Sequence, residues 1–221
     1  MRRCAVVFAF CSCFMLGIPV FAGCTGKVLM QSNFQSGDSK WPVANTTWTD
    51  QAIHDGALTL TYRKNVASQL LYSGDVFDDV EICVKVKLLE SVAADKEYAS
   101  LVFWAKDYSS YYVLWVDPSG AVGVIRKAGD RWFYPMPPQN HVAVNKGVGQ
   151  TNELRVVLHG NDADLYVNER RVGSITGQPV AGGSQVGLRA EGAIPNHTNT
   201  VWEFSDYIVS KPQQLASSHT H

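Results

Sequence analysis

The most regular feature of the chain is an alternation of apolar and polar side chains with a period of two. In Val80-Glu81-Ile82-Cys83-Val84-Lys85-Val86-Lys87-Leu88 the valines, Ile82 and Leu88 take one set of positions, and Glu81, Cys83, Lys85 and Lys87 the other. Successive side chains of an extended strand point to opposite faces, so this segment is expected to be a strand with one buried and one wet side. Residues 152–159 repeat the device, with Leu154, Val156 and Leu158 set against Glu153, Arg155 and His159. Further strands are expected over 57–63, 68–72, 97–106, 111–117, 121–127, 131–134, 162–168, 171–175, 184–190 and 200–209. No window sustains the 3.6-residue period of an amphipathic helix.

Turn chemistry falls between these segments: Asp55-Gly56, Asp117-Pro118-Ser119-Gly120, Gly129-Asp130, Gly160-Asn161-Asp162 and Gly182-Gly183. Pro135-Met136-Pro137-Pro138 reads as a rigid loop after a strand, opening a long loop over 136–150 that holds Asn140, His141 and Asn145. Some twelve short strands with no linker or internal repeat predict an all-β, single-domain sandwich or barrel of two antiparallel sheets.

Composition narrows the classes. With 46% hydrophobic and 11% aromatic residues, the 221-residue chain is too apolar for a disordered protein. Its 19 basic side chains are balanced by 20 acidic ones, which argues against a nucleic-acid partner.

The amino-terminal stretch reads as an address. Met1-Arg2-Arg3 is basic, Ala5 to Phe21 is apolar but broken by Gly17 and Pro19, and Val20-Phe21-Ala22 supplies a peptidase site. Residues 1–22 are therefore expected to be a signal peptide, 23–210 the folded domain and 211–221 a flexible tail. No transmembrane helix is expected after cleavage, and the product is placed in the periplasm or outside the cell. A rival route is open: Phe21-Ala22-Gly23-Cys24 resembles a lipobox with Phe in place of the usual Leu, which would anchor the chain through a lipid on Cys24. Without Arg2 and Arg3 the basic side chains fall to 17 against 20 acids, a net charge of −3. Cys4, Cys11 and Cys13 leave with the leader, so Cys24 and Cys83 are expected to form one disulfide unless Cys24 is lipidated.

Several stretches, read in order, carry a family likeness. They are Asn33-Phe34-Gln35 with Trp41-Pro42, His54 to Leu60, Val76 to Glu81, Leu101 to Asp107 with Tyr111-Tyr112, Asn152 to Val156, Leu165 to Asn168, Gln185 to Leu188, and Trp202 to Tyr207. Together they resemble the concanavalin A-like lectin/glucanase superfamily, particularly its laminin G-like and 3-keto-disaccharide hydrolase-like branch of exported bacterial proteins. The resemblance implies a jelly-roll sandwich with one curved sheet whose concave side holds glycans. There are departures: Glu169 follows Asn168 where Gly is usual, so that hairpin turn is expected to differ. Trp104 stands where Arg is common, and the Glu-x-Asp-x-x-Glu strand of the glucanases is missing.

Alternation and the resemblance together place Phe103, Tyr112, Leu114 and Val116 inward and Trp104, Tyr111, Val113 and Trp115 outward. Trp132 and Tyr134 share one face, with Phe133 on the other. Trp104, Tyr111, Trp115 and Trp132 are thus the expected aromatic floor for sugar rings, whose C–H faces stack on indole. Arg126 and Asp107, with Lys127 and Arg131 nearby, would bond hydroxyls. Trp41, Trp48 and Trp202 are assigned to packing.

Catalytic signals are weaker. Asp79 and Glu81 lie two apart on one strand face, a spacing compatible with paired glycosidase carboxylates, but the face reads as solvated. Asp162 and Asp164 read as turn residues, and His54, His141, His159 and His197 are scattered with no nucleophile elbow. No catalytic residue is assigned and no cofactor is expected. The resemblance leaves room for calcium on loop oxygens, although no EF-hand spacing occurs. Asn45-Thr46-Thr47 and Asn196-His197-Thr198 match a glycosylation pattern that is common by chance. The leading reading is a non-catalytic glycan-binding module. Its alternatives are a 3-keto-glycoside hydrolase or lyase using His141 and Asp107, and a cell-envelope protein-interaction domain.

Overall fold

The computed structural model describes residues 23–35, 39–63, 66–91, 96–192 and 199–212. The expected leader, the tail beyond residue 212 and the sequon at Asn196 lie outside the described residues.

Among these residues the alternating segments become fourteen strands. They are β1 (Val28–Ser32), β2 (Thr49–His54), β3 (Ala57–Tyr62), β4 (Ser68–Leu71), β5 (Glu81–Glu90), β6 (Glu97–Asp107) and β7 (Ser110–Val116). The second half supplies β8 (Ala121–Ala128), β9 (Arg131–Asn140), β10 (Thr151–His159), β11 (Asp162–Val167), β12 (Arg170–Thr176), β13 (Gln185–Gly192) and β14 (Thr200–Ser210). One sheet runs β12-β11-β10-β5-β14-β3-β2, with β1 also paired to β14, and the other runs β4-β13-β6-β7-β8-β9. All the pairings are antiparallel.

The core fills the space between the sheets. Leu58, Leu60, Ile82, Val84, Val86, Leu154, Val156 and Phe204 face it from the eight-stranded sheet, and Leu101, Phe103, Leu114, Val116, Val186 and Leu188 from the six-stranded one. Each such side chain adds about 1.5–3 kcal/mol by leaving water. Trp41 closes part of this core, its ring 5.4 Å from Phe34, 5.5 Å from Tyr72 and 5.0 Å from Tyr207.

Four expectations need correction. The outer side of β5 is not wet along its whole length: Glu81 and Cys83 are buried. Cys24 is disulfide-bonded to Cys83, the two sulfurs 2.16 Å apart, and Glu81 accepts a 2.6 Å bond from Arg155 on β10. A sulfur engaged in that bond is not free to carry a lipid thioether. Lys85 and Lys87, farther along, stay half-buried and face Asp206 and Glu203 on β14 at 2.9 and 4.0 Å.

Second, the proline run is not loop. β9 continues through Pro135, Pro137 and Pro138 to Asn140 with two register shifts against β8, and it lies last in its sheet. An edge strand tolerates residues without an N–H, because one side of it bonds no neighbour.

Third, β2 was not expected, and the opening strand that the resemblance implies at Asn33-Phe34-Gln35 lies just before those residues, as β1. The inward positions of β2 include Thr49 and Gln51, which are buried but polar. Gln51 is satisfied by Ala44 N, Ser68 Oγ and the Gln69 carbonyl rather than by apolar packing.

Fourth, the hairpin at Asn168-Glu169 keeps a two-residue turn with both residues at positive φ, 47° and 66°. This is the conformation in which Gly is usual, and here Glu adopts it. Asn168 holds the turn in place: its Oδ1 accepts Glu153 N at 2.8 Å, and its Nδ2 donates to Ala143 O and Asn152 Oδ1.

Candidate functional site

The outer face of the six-stranded sheet carries an aromatic layer separate from the main core between the sheets. Tyr111, Val113 and Trp115 of β7 point outward and form a second apolar cluster with Leu71, Val102 and Ala105, against which Tyr98, Ala121 and Ile125 pack. Trp115 fits because Gly123 lies beside it: a Cβ there would stand 2.6 Å from Trp115 Cζ2. Tyr98 meets Trp115 edge-on at 4.9 Å, and Trp132 meets Tyr111 edge-on at 6.4 Å. These two pairs have the edge-to-face geometry that ring quadrupoles favour.

Above this layer the surface opens. Tyr98, Trp115, Ile125, Trp132, Tyr134 and Pro138 line a cavity of about 380 Å³, bordered by Asp117 and Glu191. A second depression of about 500 Å³ shares Tyr98, Trp132 and Glu191 and reaches Arg189, Val66 and Gly192, so the two form one groove across the sheet. Trp115 and Tyr111 are its buried floor at 4% and 1% exposure, whereas Trp132 and Tyr134 offer 43% and 58% of their surface to solvent.

The polar side of the groove is ordered. Arg189 Nη2 donates to Glu191 Oε2 at 2.6 Å and Nη1 to Gln69 Oε1 at 2.9 Å. Its guanidinium lies 5.7 Å from the rings of both Tyr111 and Trp132, and Lys127 Nζ is 5.3 Å from the Trp132 ring. Burial pushes the Tyr111 hydroxyl up to about 12, with the nearby Arg189 charge opposing it. Asp117 Oδ1 accepts from Ser119 N, Ser119 Oγ, Gly120 N and Ala121 N, so this carboxylate organises the β7–β8 turn. The groove can therefore stack rings and offer a fixed donor–acceptor pair.

The other residues singled out in the sequence fall elsewhere. Trp104 does not face outward. It has φ 45°, and the β6–β7 register slips between Phe103 and Asp107, so Trp104 joins Phe103 and Tyr112 inside the core at 5.4 and 5.2 Å. One edge of it borders a separate depression of about 470 Å³ with Asp78, Asp79, Gln178 and Val180.

Arg126, expected to bond hydroxyls beside the aromatic floor, instead lines a depression of about 560 Å³ with Tyr112, Phe133 and Tyr134. It lies between Tyr112 and Phe133, 5.3 and 5.5 Å from their rings, and donates to Gln178. Arg131 packs on the Phe133 ring from 4.9 Å. Asp107 is exposed in the β6–β7 hairpin, where Oδ1 accepts from Ser109 N and Oγ at 2.7 and 2.6 Å, and those bonds hold its carboxyl below the usual range.

His141 follows the end of β9 that pairs with the start of β8, whereas Asp107 pairs with Ser110 at the other end of β7. A seven-residue strand separates the two ends by roughly 20 Å, so the two do not converge. The carboxylate pairs are engaged too. Asp79 Oδ1 accepts Gly160 N and Glu81 pairs with Arg155. Asp162 and Asp164 are strand residues that bind Thr176 and Arg171 across β12. Among the described residues no three His, Cys, Asp or Glu side chains gather as a metal site. No described helix is long and apolar enough to cross a membrane.

Tyr98, Arg189 and Glu191 were missed by sequence reasoning. Their strands, β6 and β13, are neighbours in the sheet, with Tyr98 opposite Glu191, although 93 positions part them in the chain. Only the alternation of β13 hinted that its charged residues share a face.

No family model and no curated protein matches the chain. Solved structures do. The carbohydrate-binding module CBM66 from Bacillus subtilis superposes with a TM-score of 0.59 at 16% identity, over 77% of this chain and 95% of that one. A Bacillus licheniformis beta-glucanase gives 0.57 at 10% identity, over 85% and 100%. A Bacillus subtilis protein of unknown function with a galectin-like fold gives 0.59 at 10%, over 84% and 96%. At these identities the likeness is one of fold: the chain shares with these proteins a jelly-roll sandwich of two antiparallel sheets.

Proposed function

We propose that this protein is an exported, non-catalytic glycan-binding module, periplasmic or secreted, whose ligand lies in the groove on the outer face of the six-stranded sheet. The observation that carries the reading is the pair of exposed rings, Trp132 and Tyr134, beside the half-buried Tyr98 and the buried Trp115, with the Arg189–Glu191 pair alongside. Pyranose rings bring apolar C–H faces and hydroxyls, and the groove supplies an aromatic surface with a few fixed polar groups. A carbohydrate-binding module among the similarly folded proteins supports the same reading. The hydrolase alternative lacks support from its named pair, His141 and Asp107, which sit at opposite ends of the sheet.

Tryptophan fluorescence of the exported protein, titrated with a panel of oligosaccharides, tests it. A saturable shift is expected, with the ligand recovered intact. Trp132→Ala is expected to weaken binding by about 2 kcal/mol, roughly thirty-fold in Kd. Arg171→Ala, on β12 of the other sheet, is expected to leave it unchanged. Turnover of the sugar would replace this reading with the hydrolase one, and silence across the panel would remove the groove as a glycan site.

A further inference from the structure

The first described residues cross the outer face of the eight-stranded sheet. Cys24 is bonded to Cys83 and packs with Ile208, and Gly23 is buried beside it. There is no room at Gly23 for a side chain: a Cβ would stand 2.7 Å from Glu153 Oε1, 2.9 Å from Arg155 Cδ and 3.2 Å from Cys83 Sγ. Covalent geometry therefore puts Glu153 Oε1 within about 5 Å of the Gly23 nitrogen.

That carboxylate oxygen is out of solvent and has no hydrogen-bond partner. A carboxylate oxygen buried without a partner is costly, and partial burial raises the proton affinity of Glu153. The cations around it make their ion pairs elsewhere, although the buried Arg155 Nε has no partner of its own. Arg155 donates to Glu81 at 2.6 Å and lies 3.7 Å from the Tyr166 ring, and Lys85 pairs with Asp206 at 2.9 Å. Glu169 and Asp206 add negative charge at the same place. The cradle has the shape of a glycine and the charge that a cation would neutralise.

We propose that the chain is cut between Ala22 and Gly23, and that the ammonium group this creates on Gly23 is the partner of Glu153. The inference rests on the export reading above. In the cut, water adds across the Ala22–Gly23 amide: the C–N bond breaks, the hydroxyl goes to the Ala22 carbonyl carbon, and the freed nitrogen takes up protons as –NH3+. A neutral amide with one N–H thus becomes a cation with three donors beside an orphaned carboxylate. Removal of the leader completes a buried ion pair, so the native domain gains stability only once it has been processed. The rival cut before Cys24 would discard Gly23 and place a lipid on a sulfur that is here bonded to Cys83. The disulfide and the cradle select the same route.

Amino-terminal sequencing of the protein recovered from the cell envelope or medium is expected to read Gly23-Cys24-Thr25. A start at Cys24, a lipid-modified Cys24 or any other start overturns the proposal. A retained leader on protein found only in the cytoplasm overturns the export reading as well, and so separates the two failures. The pairing has its own readouts. The α-amine of the folded exported chain is expected to acylate at least tenfold more slowly than after unfolding in urea, and equal rates overturn the pairing. A Ser-Ala extension before Gly23 is expected to raise the unfolding constant roughly tenfold or more in the parent and far less in Glu153→Gln. An equal effect in both backgrounds means that the extension acts by bulk alone, which also overturns it.

Discussion

Glu169 shows what a single residue gives up for a turn. It sits at φ 66° in the two-residue hairpin between β11 and β12, where an L side chain crowds the backbone and Gly does not. Glu169→Gly is expected to stabilise the domain by about 1 kcal/mol, read as a higher urea midpoint with an unchanged slope. An unchanged midpoint would mean that Glu169 makes a compensating interaction with its surroundings. The same scale explains the largest misreading of the site. Strict alternation assigns Trp104 and Trp115 to one face, but the positive φ at Trp104 and the slipped register beyond Phe103 shift the parity by one, and the indole enters the core. The outward–inward assignment held through β7, where no bulge intervenes, and Tyr111 and Trp115 lie on the outer cluster while Tyr112 and Leu114 lie in the inner one.

Elements decide how much of each strand is wet. β5 has the alternation of a half-exposed strand, yet the amino-terminal segment lies over its first residues and the disulfide ties that segment down. The bond closes a loop with a sequence separation of 59 residues, for which loop entropy alone predicts about 4 kcal/mol and typical native disulfides deliver 2–4. Replacing both Cys24 and Cys83 by Ser is expected to lower stability by about 2–4 kcal/mol while leaving intact the glycan affinity proposed for the groove, because the groove is on the other sheet. A loss of binding in the folded double variant would connect the two faces in a way the packing does not suggest. The strands that escaped the sequence reading did so for identifiable reasons. β2 buries Thr49 and Gln51 through hydrogen bonds and so lacks an apolar period, and β9 carries prolines that only an edge position allows.

For the whole molecule, buried tyrosines set a limit in alkali. Burial pushes the Tyr111 hydroxyl up to about 12 and raises those of Tyr62 and Tyr207 as well. In the unfolded chain these groups ionise near 10. Below that pH their contribution is fully present. As pH rises from about 10 towards 12, the unfolded state releases protons that the native state keeps, so stability falls. The denaturation midpoint is expected to drop across this window, and phenolate absorbance to show part of the nine tyrosines ionising only as the fold is lost. Nine tyrosines titrating together near 10 in a chain that keeps its far-ultraviolet spectrum would contradict the burial.

The sequence by itself determined the β class, the positions of most strands and turns, and the inner face of each regular strand. These depend on local quantities: a period of two, and turn residues suited to unusual φ. Only the tertiary structure decided which strands became neighbours. That choice brought Tyr98 and Glu191 to facing positions on β6 and β13, set Arg189 between Tyr111 and Trp132, and sent Trp104 inward with Arg126 beside Tyr112. The physical reason is one of range. Alternation reports which way a side chain points, whereas a site is made by side chains far apart in sequence whose meeting depends on sheet order and on bulges that reverse the count.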